Sequence, residues 1–327
     1  MGKYLVTGGA GFIGSNIVEE LLKQGETVRV LDNFSTGHRD AVVGGELVEG
    51  DLGDAALLDE LFREHAIDAV MHFAALLRVD ESVAHPERYY ANNVTRTLAL
   101  LDAMVRHDVK RFVFSSSCAV FGEPEADLID ESLPLNPVTP YGETKRIIEQ
   151  ALNHYDRAHG LRAMSLRYFN AAGADPEGEL GERHEPETHL IPLVLRAASG
   201  RLAALSIYGD DYDTPDGTCV RDYVHVTDLC DAHLLALDQL DAGAKTDCYN
   251  LGSGTGFSVR QVIEVAQRIT QRKIAVKVAA RRPGDPPRLV ADNQRARAEL
   301  GWQTRYADLD SMIGHAWAWE QRLAAAA

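Results

Sequence analysis

The sequence predicts an α/β fold, a doubly wound parallel sheet joined to a smaller, irregular α/β substrate-binding domain. Strands and helices alternate up to about residue 170, which is typical of parallel strands with crossover helices. Beyond that point the chain becomes rich in Gly, Pro and Asp, and its strands are short. We therefore expect a nucleotide-binding domain over residues 1–170, to which later segments return, and a substrate-binding domain over residues 171–327.

The N-terminus carries a glycine pattern between a short apolar strand, residues 3–7, and an amphipathic helix, residues 15–24. Gly8 permits the tight turn, Gly11 allows a pyrophosphate to approach the backbone, and Gly14 lets helix and strand pack closely. A lone glycine pattern is not specific, but here it lies between strand and helix as the Rossmann fingerprint requires. This part of the chain is therefore predicted to bind a dinucleotide.

A second strand, residues 27–31, ends in Asp32, which lies 24 residues after Gly8. A carboxylate at this position accepts a hydrogen bond from the adenosine ribose 2′-hydroxyl and repels a 2′-phosphate. NAD is thus favoured over NADP, although the basic residues His38 and Arg39 follow closely in the sequence.

The remaining elements place several strand ends beside this turn. Strands are predicted at residues 46–49, 69–73, 111–115, 163–167, 205–208 and 248–251, and helices at 90–107, 141–159, 258–271 and near the C-terminus. Each of the first four strands ends near small or polar residues. Because ligands of open α/β sheets bind beyond the carboxyl ends of the strands, these ends are expected to line one crevice.

Tyr141 and Lys145 enclose a Tyr-Gly-Glu-Thr-Lys run, and Ser117 precedes Tyr141 by 24 residues. A spacing of four places the phenol and the ammonium on one face of a helix, about one turn apart. A fixed positive charge lowers the pKa of a nearby phenol, so Tyr141 is expected to act as a general base near neutral pH. Such a spacing alone is more often an amphipathic helix surface, and the glycine turn is what favours the catalytic interpretation.

Composition and charge exclude several classes of protein. With 45% hydrophobic and 25% charged residues, the 327-residue chain has the composition of a globular protein. Its net charge of -16 argues against nucleic acid or an anionic membrane as a partner. No export signal or long apolar run is evident, so we expect a cytoplasmic protein whose four cysteines are free thiols. His184 and His189 lack the HExxH spacing, and no metal site is expected.

Arginines and tryptophans in the second half give further candidates. Arg221, Arg282 and Arg288 stand out in an acidic chain as possible ligands of phosphate oxygens, although a surface salt bridge is the commoner role of each alone. The tryptophans near the C-terminal helix are expected to pack in the core: Trp302, Trp317 and Trp319.

Short strings distributed over nearly the whole chain carry a family resemblance. They are VTGGAGFIGS (6–15), DN (32–33), GDL (50–52), HFAA (72–75), ESV (81–83), NNV (92–94), FSSS (114–117), YGETK (141–145), LRYFNAAGA (166–174), THLIP (188–192), DGTCVRDYVHV (216–226), YNLGSG (249–254) and RRPGDPP (281–287). Through the earlier strings the chain resembles the extended short-chain dehydrogenase/reductases. Through the later ones it resembles the nucleotide-sugar 4-epimerases, most closely those that act on UDP-glucose.

The resemblance implies an NAD-dependent isomerase that interconverts UDP-galactose and UDP-glucose through a 4-keto intermediate, with NAD bound between turnovers. Tyr141 would take the proton of the sugar 4-hydroxyl, and Ser117 would bridge the sugar oxygen and the phenol. Lys145 would hydrogen-bond the nicotinamide ribose and lower the Tyr141 pKa. A homodimer formed through helices 90–107 and 141–159 is also implied, and residues 171–327 become the UDP-sugar-binding domain.

The family pattern extends to individual binding positions. It assigns to the cofactor Gly8, Gly11, Phe12, Ile13, Asp32, Asn33, Asp51, Leu52, Phe73, Ala74, Asn93, Tyr141, Lys145 and Tyr168. It assigns to the UDP-sugar Ser117, Tyr141, Asn170, His189, Leu190, Leu205, Tyr208, Arg221, Tyr223, Arg282 and Asp285.

Three positions depart from the family pattern. Leu77 stands where many members have a lysine near the nicotinamide, and His189 stands where some have an asparagine. Leu289 lies where side-chain bulk limits whether an N-acetylated sugar can turn, and leucine is of intermediate size. The resemblance therefore leaves a 4-epimerase of UDP-N-acetylglucosamine, UDP-xylose or UDP-glucuronate as the alternative.

Two other functions are weighed against epimerisation. Sugar dehydratases on this scaffold resemble the pattern with an Asp-Glu pair after the serine, whereas Ser117 is followed here by Cys118 and Ala119, which cannot drive elimination at carbon. A catalytically silent NAD-binding regulator would have the same fold, but it has no need of Ser117, Tyr141 and Lys145 together.

Overall fold

The computed structural model describes residues 2–282 and 285–326, so Pro283 and Gly284 of the RRPGDPP string lie outside the described residues. The strands are β1 (Lys3–Thr7), β2 (Thr27–Asp32), β3 (Glu46–Glu49), β4 (Ala69–His72), β5 (Arg111–Ser117), β6 (Arg162–Tyr168), β7 (Asn170–Ala172), β8 (Leu205–Tyr208), β9 (Val220–Arg221), β10 (Tyr223–His225), β11 (Asp247–Leu251), β12 (Phe257–Ser258), β13 (Val276–Ala279) and β14 (Arg288–Leu289). The α-helices are α1 (Phe12–Lys23), α2 (Ala55–Glu64), α3 (Val79–Ala84), α4 (Pro86–Tyr89), α5 (Arg96–Arg106), α6 (Pro140–His159), α7 (Leu190–Ala198), α8 (Val226–Asp241), α9 (Val259–Thr270) and α10 (Leu309–Ala326).

Seven strands form one parallel sheet in the order β11-β6-β5-β4-β1-β2-β3. From β1 the chain first adds β2 and β3 on one side, and it then continues with β4, β5 and β6 on the other side. This reversal of direction confirms the predicted doubly wound fold. β11 returns from the second half of the chain and pairs with β6, so that Asp247 lies opposite Met164 and Leu251 opposite Tyr168. The division of the chain into two domains near residue 170 stays a prediction.

Two apolar cores cover the two faces of this sheet. Successive side chains of a strand point to opposite faces, and in β1 Tyr4 and Val6 belong to one core while Leu5 belongs to the other. The first core includes residues of α1 and α8 together with the fully buried Trp302. The second includes residues of α2, α5 and α6. Because helices cover both faces, a ligand can approach the sheet at the carboxyl ends of the strands.

All eight predicted strands are found, with bounds that differ from the predicted ones by at most two residues. The helix predicted over residues 90–107 is instead a π-helical turn, Tyr90–Thr95, followed by α5. Three long helices, α2, α7 and α8, were not predicted. The π-helical turn at Tyr90–Thr95 is wider than an α-helical turn because it accommodates an extra residue, and such turns are common beside functional sites.

The second half adds short strand pairs around a third core. β8 pairs with β13, β7 with β10, and β9 lies between β12 and β14. The core beside them contains residues of α7, α9 and α10. None of the helices in the described ranges combines the length and the apolar character that a membrane span requires. All four cysteines are free thiols.

Candidate active site

The carboxyl ends of the parallel strands open into a cavity of about 1460 Å³. Asp32 ends β2, Ser117 ends β5 and Tyr168 ends β6, so the parallel register brings all three to the same edge of the sheet. Every residue predicted for the cofactor or the UDP-sugar lines this cavity except Asn93. The predicted crevice is therefore a single space, and both predicted ligand sites open into it.

Asn93 lies beneath the cavity lining. Its buried amide donates to Leu76 O at 2.9 Å and to Thr144 Oγ1 at 3.3 Å, and it accepts from Leu76 N at 2.8 Å. These bonds fix the loop after β4, which contributes Leu76 and Leu77 to the lining. Asn93, which lies in the π-helical turn, thus supports this loop, and its predicted contact with the cofactor stays a prediction.

The glycine turn fits the phosphates of a dinucleotide. A Cβ on Gly14 would lie 2.2 Å from Gly8 O, and one on Gly8, whose φ is +73°, would lie 2.5 Å from Ala74 N. Gly11 faces open space, since a Cβ there would meet only Gly8 O at 3.4 Å. Gly11 also begins α1 without a side-chain cap, so the first backbone N–H groups of the helix can bind an anion.

Asp32 is fixed where the predicted ribose contact requires a carboxylate. Its Oδ2 accepts from Ala10 N at 3.0 Å and its Oδ1 from Phe34 N at 2.8 Å. His38 and Arg39 are the two basic residues that leave NADP open as the cofactor. His38 lines the cavity. Arg39 does not line it; its guanidinium pairs with Glu49 and lies 4.3 Å above the Phe34 ring, so the Arg39 charge is directed away from the cavity.

Ser117, Tyr141 and Lys145 meet at the junction of β5 and α6. Helix α6 begins with Pro140 in its first turn and with Thr139 as its cap, whose hydroxyl accepts from Gly142 N at 3.3 Å. Lys145 Nζ donates to Ser115 O at 2.6 Å and lies 5.8 Å from the centroid of the Tyr141 ring. The three side chains thus line one wall of the cavity, as predicted from their spacing.

The pKa of Tyr141 differs from the expectation. Burial raises it to about 12, which outweighs the opposite effect of a hydrogen bond from Ser117. Burial likewise lowers the pKa of Lys145 to about 7, against the effect of Glu149, which raises it. Burial makes both charged forms costly, and the Lys145 ammonium is directed to Ser115 O. The lowering of the Tyr141 pKa by Lys145 together with the nicotinamide charge stays a prediction.

A buried ion pair that the sequence did not reveal supports this wall. Glu149, one turn after Lys145 on α6, accepts from Arg167 Nη2 at 2.6 Å, from Arg167 Nε at 2.9 Å and from Ser116 Oγ at 2.6 Å. The side chains of Arg167 and Glu149 are only 5% and 7% exposed. Glu149 follows Lys145 by four residues, and this helical spacing is the sequence signal that could have identified Glu149 as a neighbour of Lys145.

Two of the three singled-out arginines lie on the other wall. Arg221 Nη2 contacts Asp285 Oδ1 at 3.3 Å, and the Arg282 guanidinium lies 3.9 Å above the Tyr208 ring. Arg288 does not line the cavity and donates to Asp127 O at 3.1 Å. In an acidic chain, two arginines with donors left for a ligand make this wall suitable for phosphate oxygens.

The positions that bear on the reaction class also line the cavity. Leu289 of β14 pairs with Arg221 of β9, which brings the proposed size filter beside the arginine wall. Cys118 and Ala119 follow Ser117 in the lining. Burial raises the pKa of the Cys118 thiol to about 12, so neither residue offers an acid or base near neutral pH.

Other lining residues were not predicted. Trp319 was expected in the core, but it lines the cavity and donates from Nε1 to Glu182 O at 3.1 Å. His184 and Glu187 also line it, in a cluster with Glu182 and His189. Glu182 and Glu187 carried no signal in the sequence beyond their closeness to two histidines.

Comparisons with known proteins agree with this geometry. Residues 4–252 match the sequence profile of the NAD dependent epimerase/dehydratase family. The chain is 50% identical over 317 residues to a UDP-glucose 4-epimerase of Halalkalibacterium halodurans, covering 97% of this chain and 95% of that protein. It is similar to the crystal structure of the Brucella ovis UDP-glucose 4-epimerase in complex with NAD, with 51% identity, a TM-score of 0.95 and coverage of 97% and 98%. For the Bifidobacterium longum enzyme in complex with NAD+ and UDP, identity is 39%, the TM-score 0.92 and coverage 98% of both chains.

Proposed function

Because this chain belongs to the NAD dependent epimerase/dehydratase family, we propose that it interconverts UDP-galactose and UDP-glucose as a UDP-glucose 4-epimerase with NAD as its cofactor. One observation carries the proposal. Ser117, Tyr141 and Lys145 share a single cavity with the Gly8–Gly14 turn and with Arg221. An acid–base group, a dinucleotide turn and a phosphate-binding arginine in one space are what this reaction needs.

Tyr141 is the proposed general base for the sugar 4-hydroxyl. When bound, NAD supplies the acceptor for the hydrogen at sugar C4 and adds a positive charge that favours the Tyr141 phenolate. Ser117 links the sugar oxygen to the phenol and carries the proton between them. Lys145 orients the ribose beside the phenol, and the hydrogen bond from Ser117 already acts to lower the pKa of Tyr141.

Arg221 and Arg282 are proposed to bind the diphosphate of the UDP-sugar. Binding through this remote group leaves the hexose free to turn while it remains in the cavity. A ketone formed at C4 can then present its other face and regain the hydrogen with inverted configuration. The product differs from the substrate only at C4, so no net oxidation occurs.

The dehydratase alternative receives no support from the residues after Ser117. Elimination needs an acid and a base at C5 and C6, and Cys118 and Ala119 supply neither. The silent-regulator alternative leaves Tyr141 and Lys145 on the cavity wall without a purpose, whereas epimerisation uses both.

The experiment that tests the proposal measures UDP-glucose formed from UDP-galactose, with a coupled dehydrogenase as the readout. The Tyr141→Phe variant should lose activity by about 10³-fold, because the general base is absent, while NAD stays bound. Tyr155→Phe is the matched control, since Tyr155 lies on the same helix and bonds Asp102 at the surface. Unchanged turnover in Tyr141→Phe would contradict the assignment.

The range of sugars, the oligomeric state and the location are finer proposals. Leu289 lines the cavity, and its intermediate size is compatible with UDP-glucose and with UDP-N-acetylglucosamine; a panel that adds UDP-xylose and UDP-glucuronate measures the range of sugars. A homodimer through α5 and α6 is proposed from the resemblance, and light scattering after size exclusion measures it. A cytoplasmic location stays a prediction from the sequence.

A further inference from the structure

Four side chains of one short segment meet beside the cavity, and each offers one possible metal ligand. They are Glu182, His184, Glu187 and His189, whose ligand atoms all lie within 4.8 Å of one another. We propose that this segment binds one divalent transition-metal ion of the zinc type. Two imidazoles and two carboxylates form a ligand set that suits such an ion better than Mg²⁺ or Ca²⁺, which prefer oxygen alone. The site departs from the expectation that the chain has no metal site.

Two distances within the cluster resemble those between ligands of one ion, whereas His189 Nδ1 and Glu182 Oε1 are joined by a direct hydrogen bond. His184 Nδ1 lies 3.2 Å from Glu182 Oε1. Glu187 Oε1 lies 3.8 Å from His184 Nδ1. Ligands of a tetrahedral zinc ion lie about 3.3 Å apart, since each bond is about 2.0 Å long. To place the four atoms around one centre, the His189–Glu182 hydrogen bond must open, while the two atom pairs that involve His184 are already near this spacing.

Two buried polar atoms give an independent indication. Within the described ranges, His184 Nδ1 and Glu187 Oε2 are buried without a hydrogen-bond partner. The 3.2 Å approach of His184 Nδ1 to Glu182 lacks hydrogen-bond geometry. The Glu187 side chain is 1% exposed, and Oε1 already accepts from Thr188 N and His189 N. Buried polar atoms normally have partners, and a cation would supply one for both.

The backbone of the segment is fixed by other parts of the fold. Trp319 donates to Glu182 O at 3.1 Å and Arg196 to His184 O at 3.0 Å. The neighbouring arginines are themselves neutralised, Arg183 by Asp40 and Arg196 by Glu185. With neutral histidines the four ligands carry two negative charges, which a divalent ion balances.

Protons are the competing occupants of this cluster. Although burial opposes it, the carboxylates of Glu182 and Glu187 raise the pKa of His184 to about 10. Burial also opposes ionisation of Glu182, yet the two histidines lower its pKa to about 2. The cluster can therefore exist as two imidazolium–carboxylate pairs, and a metal ion must displace these protons to bind. The experiment has to separate the two states.

The test uses the full chain without an affinity tag, stripped with a chelator and titrated with Co²⁺. We expect one equivalent to bind with the intense visible absorption of four-coordinate Co²⁺, and Zn²⁺ to displace it. His184→Ala and Glu187→Gln should each weaken binding by about 100-fold, since even outer contacts change metal affinity by 10–100-fold. Circular dichroism verifies that the variants fold.

The matched control is His85→Ala, which disrupts an exposed histidine–glutamate pair whose atoms, His85 Nδ1 and Glu87 Oε1, are 3.6 Å apart. Its Co²⁺ affinity should equal that of the unaltered chain. The absence of a stoichiometric Co²⁺ or Zn²⁺ complex in the unaltered chain would overturn the proposal. It would also be overturned if His184→Ala and Glu187→Gln bound Co²⁺ as tightly as the unaltered chain does. Metal binding is measured here without turnover, so its failure is distinct from a failure of the proposed epimerase activity.

Discussion

Two arginine–carboxylate pairs differ in their burial and in the number of their contacts. One lies beneath the cavity wall that carries Lys145, and the other lies on the wall proposed to bind the UDP-sugar. Arg167 and Glu149 are nearly inaccessible, with two Arg167 nitrogens bonded to the carboxylate. Arg221 and Asp285 share one contact of 3.3 Å, and their side chains are 16% and 33% exposed. The first pair stabilises the sheet edge under Lys145 through these paired bonds, while Arg167 Nη1 is buried without a hydrogen-bond partner. The second keeps donors free, which is what a ligand-binding arginine requires.

Breaking the buried pair should give the largest change in stability. Glu149→Gln leaves the Arg167 guanidinium buried without a counter-charge, and we expect a loss of about 3–5 kcal/mol in the free energy of unfolding. Urea denaturation measures it. Glu143→Gln, which removes a surface partner of Arg146 on the same helix, should change stability by less than about 1 kcal/mol. Equal losses in both variants would remove the contrast between buried and exposed pairs.

Changing the sugar-side pair should affect binding instead. Arg221→Lys retains the charge but loses the bidentate geometry, so KM for UDP-galactose should rise by about 10–100-fold. Stability should change little, because the pair is partly exposed. Steady-state kinetics and denaturation are measured on the same variant. Arg288→Lys is the control. An equal rise of KM in that variant would contradict a specific role of Arg221 in binding the UDP-sugar.

The size of the residue paired with Arg221 should alter the range of sugars more mildly. Leu289→Ala enlarges the cavity beside the arginine wall, and we expect about a tenfold gain in kcat/KM for UDP-N-acetylglucosamine relative to UDP-glucose. Leu289→Tyr should change the ratio in the opposite direction. A ratio that is the same in both variants would mean that the sugar turns elsewhere in the cavity.

The smallest expected effect is a shift of the pH profile. The negative charge of Glu149 raises the pKa of Lys145, which burial lowers to about 7, so Glu149→Gln should lower that pKa further. Lys145 loses its charge as pH rises through its pKa, and the alkaline fall of kcat/KM should therefore begin at lower pH. The profile is measured well below the unfolding temperature of the variant. Glu143→Gln should leave the alkaline side of the kcat/KM profile unchanged. An unchanged alkaline side in Glu149→Gln would contradict the effect of Glu149 on the pKa of Lys145.

The placement of the cofactor-side residues around the cavity was predictable from the sequence because the signals are local. The turn from Gly8 to Gly14 and the spacing of Tyr141 and Lys145 lie within single strand–turn–helix units, and the parallel sheet then brings them together. Quantities that depend on long-range contacts were not predictable. Asn93 is directed to Leu76 by a π-helical turn, and the Tyr141 pKa is set by burial, which no motif encodes.

The sugar side shows the same limit. Arg221 contacts Asp285, which lies 64 positions later in the chain, whereas the Arg288 guanidinium donates to a backbone oxygen. Composition alone did not distinguish the three arginines; the family strings, which contain Arg221 and Arg282 but not Arg288, did. The partners of Glu149 and the cluster of Glu182 with His189 are likewise made by folding, since neither appears as a helical or strand periodicity.

The return of β11 to the sheet has a consequence for modular exchange. α8 and β11 follow several sugar-side strands in the chain, yet β11 covers the edge of β6 and α8 packs against α1. A single cut after β6 would therefore bare a strand edge and an apolar helix face, both of which favour aggregation. A chimera with a different sugar-binding region must therefore exchange segments on either side of residues 226–251 and keep these residues, which contain α8 and β11, with the parallel sheet.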